Sequence, residues 1–261
     1  MPFVRCHRAG RVHYAERGEP RAAHLPALLI HGAGASAAIW MMVMARLARL
    51  TRVVAIDLPG HGPSEAGPDQ PAAVLDGYRD ACGELAALLG LGRSVLVGHS
   101  MGALVAIKAA LAWPDKVAGL VLCGAAPRLP VSPELLEAVD RDFARFPAWM
   151  AARAFSPAAK PALRRGFVAA GVVASREVTQ RDFAATAAAD LGPQLGALAC
   201  PVVWLDGADD QLVPAGGAPA ARPGETRRLE RVGHLVPIEA PAEVEQAAGA
   251  LARPAPAPPP S

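Results

Sequence analysis

The chain has 261 residues, of which 52% are hydrophobic, and a formal net charge of +2. This composition supports a full hydrophobic core and argues against a chain that is disordered throughout. The basic residues are scattered and form no Lys- and Arg-rich run, so the sequence indicates neither a nucleic-acid-binding nor a membrane-binding protein. Charged residues interrupt every apolar stretch before it reaches the ~18 residues that a membrane span needs.

The N-terminal residues and the cysteines indicate the cellular compartment in which the protein is expected. Residues 1–20 carry charge throughout and have no apolar core, so they do not resemble a secretory signal. The cysteines lie far apart and form no C-x-x-C pair, which favours buried thiols in a reducing compartment over disulfides or a zinc site. We therefore expect a soluble cytoplasmic protein.

The predicted elements alternate between strands and helices. Residues 3–18 predict an antiparallel hairpin with a turn at Ala9 and Gly10. Apolar runs of strand length then alternate with longer, helix-compatible stretches, which predicts an α/β fold with a mostly parallel, doubly wound central sheet. The predicted strands cover residues 26–32, 52–60, 94–100, 117–126, 201–209 and 225–233, and the predicted helices cover 37–50, about 71–90, 101–113 and 241–252.

One interval, residues 128–193, breaks this alternation. It has helix-like pieces punctuated by prolines and contains five of the six phenylalanines. We interpret it as a helical cap inserted into a core formed by residues 1–127 and 194–252. Most of its aromatic residues are expected to form the cap's own core, and a few are expected to line a pocket beneath it. Residues 253–261 are proline-rich and predict a loose tail.

The loop after the first central strand has two possible functions. Gly32, Gly34 and Ala37 match G-x-G-x-x-A, and Asp57 ends the next apolar run. This is the layout of a dinucleotide-binding unit, with glycines under the pyrophosphate and an acid for the ribose. The same backbone N–H groups could instead stabilise a developing oxyanion.

A second motif decides between these functions. Gly98, Ser100 and Gly102 form G-x-S-x-G, with an apolar strand directly before it and an apolar helix directly after it. A sharp strand-to-helix turn of this kind raises a serine hydroxyl above the sheet edge and needs tiny residues on either side. The alternative is an ordinary serine N-cap in a tight turn.

A nucleophilic serine needs a base and an acid, which follow it in this topology. Beyond Ser100 the chain has one histidine, His234, on a predicted loop between the last strand and the last helix. Three acids follow the preceding strand, namely Asp206, Asp209 and Asp210. We favour Asp210, because Gly207 turns the chain and the third residue after it can return toward His234; the other two acids could merely cap the turn.

Five motifs together resemble the α/β-hydrolase superfamily, and in particular its capped, serine esterase-like members. They are "HGAG" (31–34), "DLPGHGPS" (57–64), "GHSMG" (98–102), "GADDQLVP" (207–214) and "GHLVPIEAP" (233–241). The resemblance implies Ser100 as nucleophile, Asp210 as acid and His234 as base. It also implies an oxyanion hole formed by the amides of Ala33 and Met101. One departure is that "PAGGAPAARPGE" (214–225) is a poor version of the helix expected after the acid.

The predicted function is therefore hydrolysis of a small-molecule carboxylic ester, without a metal or organic cofactor and without a nucleic-acid or membrane partner. A C–C bond hydrolase or a lactonase would use the same triad, and a non-catalytic binder or a dinucleotide-binding protein are alternatives of other classes. The oligomeric state stays open. The residues predicted to contact a moderately apolar substrate group are Gly32, Phe143, Phe146, Trp149 and Val213.

Overall fold

The structure is a computed structural model that describes residues 2–22, 24–66, 73–170, 174–213 and 223–253. An eight-stranded sheet lies at its centre. The strands are β1 (Phe3–Cys6), β2 (Gly10–Arg17), β3 (Ala27–Ile30), β4 (Val53–Ile56), β5 (Ser94–His99), β6 (Val117–Cys123), β7 (Val202–Gly207) and β8 (Glu225–Leu229).

The sheet is mostly parallel. Its strand order is β1-β2-β4-β3-β5-β6-β7-β8, in which β2 pairs antiparallel with both β1 and β4 and all other pairs are parallel. The carboxyl ends of β3, β5, β6 and β7 therefore meet at one edge, where ligands bind in sheets of this kind. The predicted fold class is confirmed, including the N-terminal hairpin.

Helices cover both faces of the sheet. The helices are α1 (Met41–Leu47), α2 (Val74–Leu88), α3 (Met101–Ala112), α4 (Pro133–Arg141), α5 (Phe146–Ala154), α6 (Pro161–Ala170), α7 (Arg176–Ala188), α8 (Val236–Glu239) and α9 (Pro241–Leu251). Leu28 and Ile30 of β3 pack in one core with α2 and α3, whereas Ala27 and Leu29 pack in a second core with α1 and α9. The central strands are apolar throughout because both of their faces are buried.

Four helices, α4 to α7, form the cap. They have two small apolar cores of their own, one around Phe146 and Phe183 and one around Phe155. Helix α7 also packs against α2 and α3 of the main body. No strand occurs among the described residues between β6 and β7, as the sequence predicts. The exact domain boundaries stay a prediction.

Some element bounds differ from the predicted ones. The helix predicted from residue 37 begins with a short 3-10 turn over Ala37–Trp40, and the last strand ends at Leu229 because Arg231 takes a φ of 61° in the following turn. The predicted poor helix after the acid and the predicted tail fall mainly on residues 214–222 and 254–261, outside the described residues. All four cysteines are free thiols, and three of them are buried. None of the described helices has the length and apolarity of a membrane span.

Candidate active site

The turn from β5 into α3 places Ser100 at the sheet edge in a strained conformation. Its φ of 52° and ψ of −121° lie where residues other than glycine are rare. An added Cβ would lie 2.5 Å from Cα of Ala103 at Gly98, and 2.3 Å from the carbonyl oxygen of Ile30 at Gly102. The neighbouring backbone thus requires glycine on both sides of the serine, as the motif predicts.

A methyl group at position 102 is expected to disrupt this turn. We predict that Gly102→Ala lowers the free energy of unfolding by about 3 kcal/mol or more, because the clash is with rigid backbone. Gly77→Ala is the control, since Gly77 lies inside α2 with nothing within 4 Å of an added Cβ. That variant should gain roughly 0.5–1 kcal/mol from helix propensity. Urea unfolding of both variants measures the difference, and equal changes would contradict the prediction.

His234 and Asp210 form a buried pair beside this turn. Nδ1 of His234 lies 2.9 Å from Oδ2 of Asp210, and both side chains are almost fully buried. The other carboxylate oxygen, Oδ1, accepts hydrogen bonds from the amides of Leu212 (2.8 Å) and Val213 (2.9 Å). The acid is therefore fixed in position, and it in turn orients the imidazole.

The electrostatics of this pair favour an ionised acid. Burial by itself would raise the pKa of the Asp210 carboxyl, but His234 and the two amides outweigh burial and hold that pKa below its usual value. The other two candidate acids lie elsewhere. Asp209 accepts a hydrogen bond of 2.6 Å from the hydroxyl of Ser156, and Asp206 is buried within β7.

Ser100 and His234 line the same cavity, whose volume is about 70 Å³. Within the described chain, no hydrogen bond joins the Ser100 hydroxyl to the His234 ring. Such bonds are often long in unliganded enzymes and tighten only when a substrate binds. The arrangement therefore brings together the three residues predicted to form a triad, with the histidine–aspartate bond already formed.

Gly32 and Ala33 of the loop at residues 31–34 line this cavity. His31 anchors the loop, since Nδ1 lies 2.8 Å from the carbonyl oxygen of Gly32 and Nε2 accepts a hydrogen bond of 3.0 Å from the amide of Leu58. The Ala33 amide has no hydrogen-bond acceptor among the described residues. The Met101 amide is the first of α3 and lies outside the helical ladder. Both are thus available as donors.

Asp182, which the sequence does not mark as a site residue, holds the end of the loop at residues 31–34. Asp182 lies in cap helix α7 and is completely buried. Its Oδ2 accepts from the amide of Gly34 (3.2 Å) and lies 2.8 Å from Nε2 of His61, while Oδ1 accepts a hydrogen bond of 2.6 Å from the Tyr78 hydroxyl. The Arg181 guanidinium donates to the same hydroxyl at 2.8 Å. One carboxylate thereby joins the cap to the loop.

These contacts argue against a dinucleotide at this loop. The Asp57 carboxylate accepts from the amide of Ala37 (2.6 Å) and contacts Nδ1 of His13, so it serves the turn rather than a ribose. The amide of Gly34 already binds the Asp182 carboxylate, which would repel a pyrophosphate.

A second group of contacts joins the cap to the histidine loop. The amide of His234 donates to the carbonyl oxygen of Ala154 at the end of α5 (2.7 Å). Glu239 accepts from the amides of Ser156 (2.9 Å) and Gly233 (3.0 Å). The connection between α5 and α6 and the histidine loop therefore form one hydrogen-bonded unit.

The cavity lining is mostly apolar and differs in part from the predicted one. Gly32 and Val213, two of the residues predicted to contact substrate, line it together with Ala33. Phe143, Phe146 and Trp149 do not, because their rings stack on one another within the cap core, with centroids 6.2 and 6.1 Å apart. Cap residues outside the predicted substrate contacts line it instead; they are Leu135, Met150, Phe167, Phe183 and Thr186.

Two buried histidines next to the site give an expected pH dependence of stability. Burial, followed by neighbouring histidines, lowers the pKa of His31 well below its usual value and lowers the pKa of His99 to about 3. Below pH 6.5 the unfolded chain therefore binds protons that the folded chain does not, and stability falls as the pH falls. The expected slope is up to about 1.4 kcal/mol per pH unit for each histidine. Urea unfolding between pH 7 and pH 4 measures this slope, which should be shallower in His99→Gln; equal slopes would contradict the assignment.

A mostly parallel sheet with a serine at the turn after its central strand, a histidine–aspartate pair beside it and a helical cap above defines a class of hydrolases. The chain belongs to that class: the sequence model of the alpha/beta hydrolase family matches residues 27–247.

Three similar proteins illustrate the range of the family. The chain is 28% identical over 207 residues to a pimeloyl-[acyl-carrier protein] methyl ester esterase of Edwardsiella ictaluri, covering 74% of this chain and 78% of that protein. It is 36% identical over 124 residues to a 2-hydroxy-6-oxononadienedioate/2-hydroxy-6-oxononatrienedioate hydrolase of Burkholderia vietnamiensis, covering 44% and 40%. The structure of a thermophilic esterase from Thermogutta terrifontis superimposes with a TM-score of 0.78 at 28% identity, covering 95% and 96%. Several other curated relatives are matched over between 8% and 61% of their own length.

Proposed function

We propose that this protein is a serine hydrolase that cleaves carboxylic esters, acts in the cytoplasm and needs no cofactor. The observation that carries the proposal is the shared position of Ser100, His234 and Ala33 at one small cavity, with Asp210 bonded to the histidine. Two of the similar proteins, from E. ictaluri and T. terrifontis, are described as esterases.

The geometry supports an acyl-enzyme mechanism. His234 accepts the proton of Ser100 as the oxygen bonds to the acyl carbon, and the amides of Ala33 and Met101 stabilise the negative charge on the former carbonyl oxygen. His234, held as a cation by Asp210, then protonates the departing alcohol as the ester bond breaks. Water, deprotonated by His234, attacks the acyl-enzyme and releases the carboxylic acid and the free serine.

A carbon–carbon bond hydrolase is the second candidate, because the similar protein of B. vietnamiensis is described as a hydrolase of dienedioates. Such a substrate carries two carboxylates. Among the described residues that line the cavity, none is lysine or arginine. A dianion would therefore enter the cavity without a counter-ion, which favours a neutral ester or lactone.

A panel of substrates tests the proposal. We expect hydrolysis of phenyl esters with acyl chains of two to four carbons to be fastest, because the cavity of about 70 Å³ is far smaller than drug-sized pockets. A five-membered lactone and a 2-hydroxy-6-oxo dienedioate are measured beside them. Faster turnover of the lactone or the dienedioate than of every ester would assign the function to that alternative. Binding of all compounds without turnover would make the protein a binder.

A further inference from the structure

Thr186 lines the cavity and carries a buried hydroxyl without a hydrogen-bond partner in the part of the chain that the structure describes. It lies in cap helix α7 and is 3% exposed. Its Oγ1 atom is buried and has no hydrogen-bond partner. Most of the side chains around it are apolar, and among the lining residues only Ser100, His99 and His234 are also polar.

The missing bond is unusual for a helical threonine. A threonine inside a helix commonly donates its hydroxyl to the carbonyl oxygen one turn earlier. Thr179, two turns before Thr186 on the same buried face, does so: its Oγ1 donates to the carbonyl oxygen of Ser175 at 2.9 Å. A buried polar atom without a partner destabilises the fold, and a group supplied by a bound ligand is one way in which it can be paired.

The charge and size of the cavity restrict what could supply the missing partner. The described lining contains no lysine, arginine, aspartate or glutamate, so an ionised group on the ligand would be uncompensated. The cavity volume of about 70 Å³ is well below the few hundred Å³ of pockets that take drug-sized ligands, which favours a short bound group.

We propose that Thr186 selects substrates whose short acyl chain carries one neutral oxygen, such as a hydroxyl or ether oxygen, which pairs with the Thr186 hydroxyl beneath the cap. This inference rests on the proposed ester hydrolysis and adds the substrate class. A fully apolar acyl chain would leave the hydroxyl desolvated and unpaired, whereas a neutral oxygen would complete its hydrogen bonding.

The test compares phenyl esters of butanoic, 3-hydroxybutanoic and methoxyacetic acid, which differ in one oxygen. We measure kcat/KM for the wild type and for Thr186→Val, which keeps the shape and removes the hydroxyl. We expect the ratio of kcat/KM on at least one oxygenated ester to kcat/KM on the butanoate to be about tenfold lower in the variant than in the wild type. Taking the ratio between the two proteins cancels the different intrinsic reactivities of the esters.

Two further variants make the result specific. Thr186→Ser should retain the preference, and Thr179→Val, on the same helix face but outside the cavity, should leave it unchanged. Thr186→Val should also unfold at a temperature equal to or above that of the wild type, because it removes an unpaired polar atom. Equal effects of Thr186→Val on all three esters would overturn the inference while leaving ester hydrolysis intact. Hydrolysis of none of the esters by the wild type would overturn both.

Discussion

Replacing Ser100 with alanine is expected to lower kcat/KM for short phenyl esters by about 10⁴- to 10⁶-fold, a loss on the scale seen when a triad nucleophile is removed. Alanine cannot form the acyl-enzyme, so water must attack the ester directly, with the help of His234, the amides of Ala33 and Met101 and the binding of the substrate but without the nucleophile. Initial rates of phenol release measure the effect, with the Km reported separately to show that binding persists.

Ser94→Ala is the matched control for this experiment. Ser94 begins the strand that Ser100 follows, but it lies at the opposite end of β5, away from the cavity. Its replacement should leave kcat/KM within about threefold of the wild type. A fluorophosphonate should label the wild type on the peptide that contains Ser100 and should not label Ser100→Ala. If both proteins hydrolyse the esters equally fast, Ser100 takes no part in the reaction.

The sheet and the residues at its edge could be predicted from the sequence because each signal is local. An apolar run followed by a turn indicates a strand end, and Ser100 and Asp210 each follow such a run, whereas His234 follows the more polar last strand. The carboxyl ends of parallel strands meet at one edge, so three local patterns suffice to bring distant residues together. The hydrogen bonds that fix the Asp210 carboxylate beside His234 come from the amides of Leu212 and Val213, which are near neighbours of Asp210 in the sequence.

The cap could not be predicted in the same way. Its aromatic residues indicate an apolar interior, but not which side of each helix faces the cavity. Phe143, Phe146 and Trp149 pack on one another, whereas Phe183 and Thr186 face the cavity from α7. Which residues these side chains contact depends on how the cap packs against the main body. The hydrogen bond between Asp182 and Gly34 joins residues that are 148 positions apart in the sequence, and no sequence motif predicts it.

Asp182 gives the second large expected effect. Alanine at this position would leave three buried donors without an acceptor, namely the amide of Gly34, Nε2 of His61 and the Tyr78 hydroxyl. Each unpaired group costs about 1–3 kcal/mol, so we expect the free energy of unfolding to fall by about 3–5 kcal/mol after partial relaxation. Chemical denaturation of Asp182→Ala measures the loss. Asp140→Ala, which removes an exposed acid from the same cap, should change stability by less than about 1 kcal/mol.

The same carboxylate should also matter for the rate, because Gly34 ends the loop that carries the Ala33 amide. Losing one well-placed oxyanion donor typically lowers kcat by about 10²- to 10³-fold. In Asp182→Ala the Ala33 amide is still present and only its position is less well fixed, so we expect a loss of kcat that approaches about 10²-fold. Asp182→Asn is the informative variant. Its single amide oxygen can still accept from Gly34 and His61 on one side, while the Tyr78 hydroxyl rotates to accept from the amide nitrogen.

The asparagine variant should therefore recover most of the kcat that alanine loses, with Km little changed in both. A purely structural role would instead make the rate of each variant follow its folded fraction. Rates measured well below the unfolding temperature, where both variants are folded, separate the two roles. A folded Asp182→Ala protein with the kcat of the wild type would show that the cap carboxylate stabilises the fold without positioning the loop.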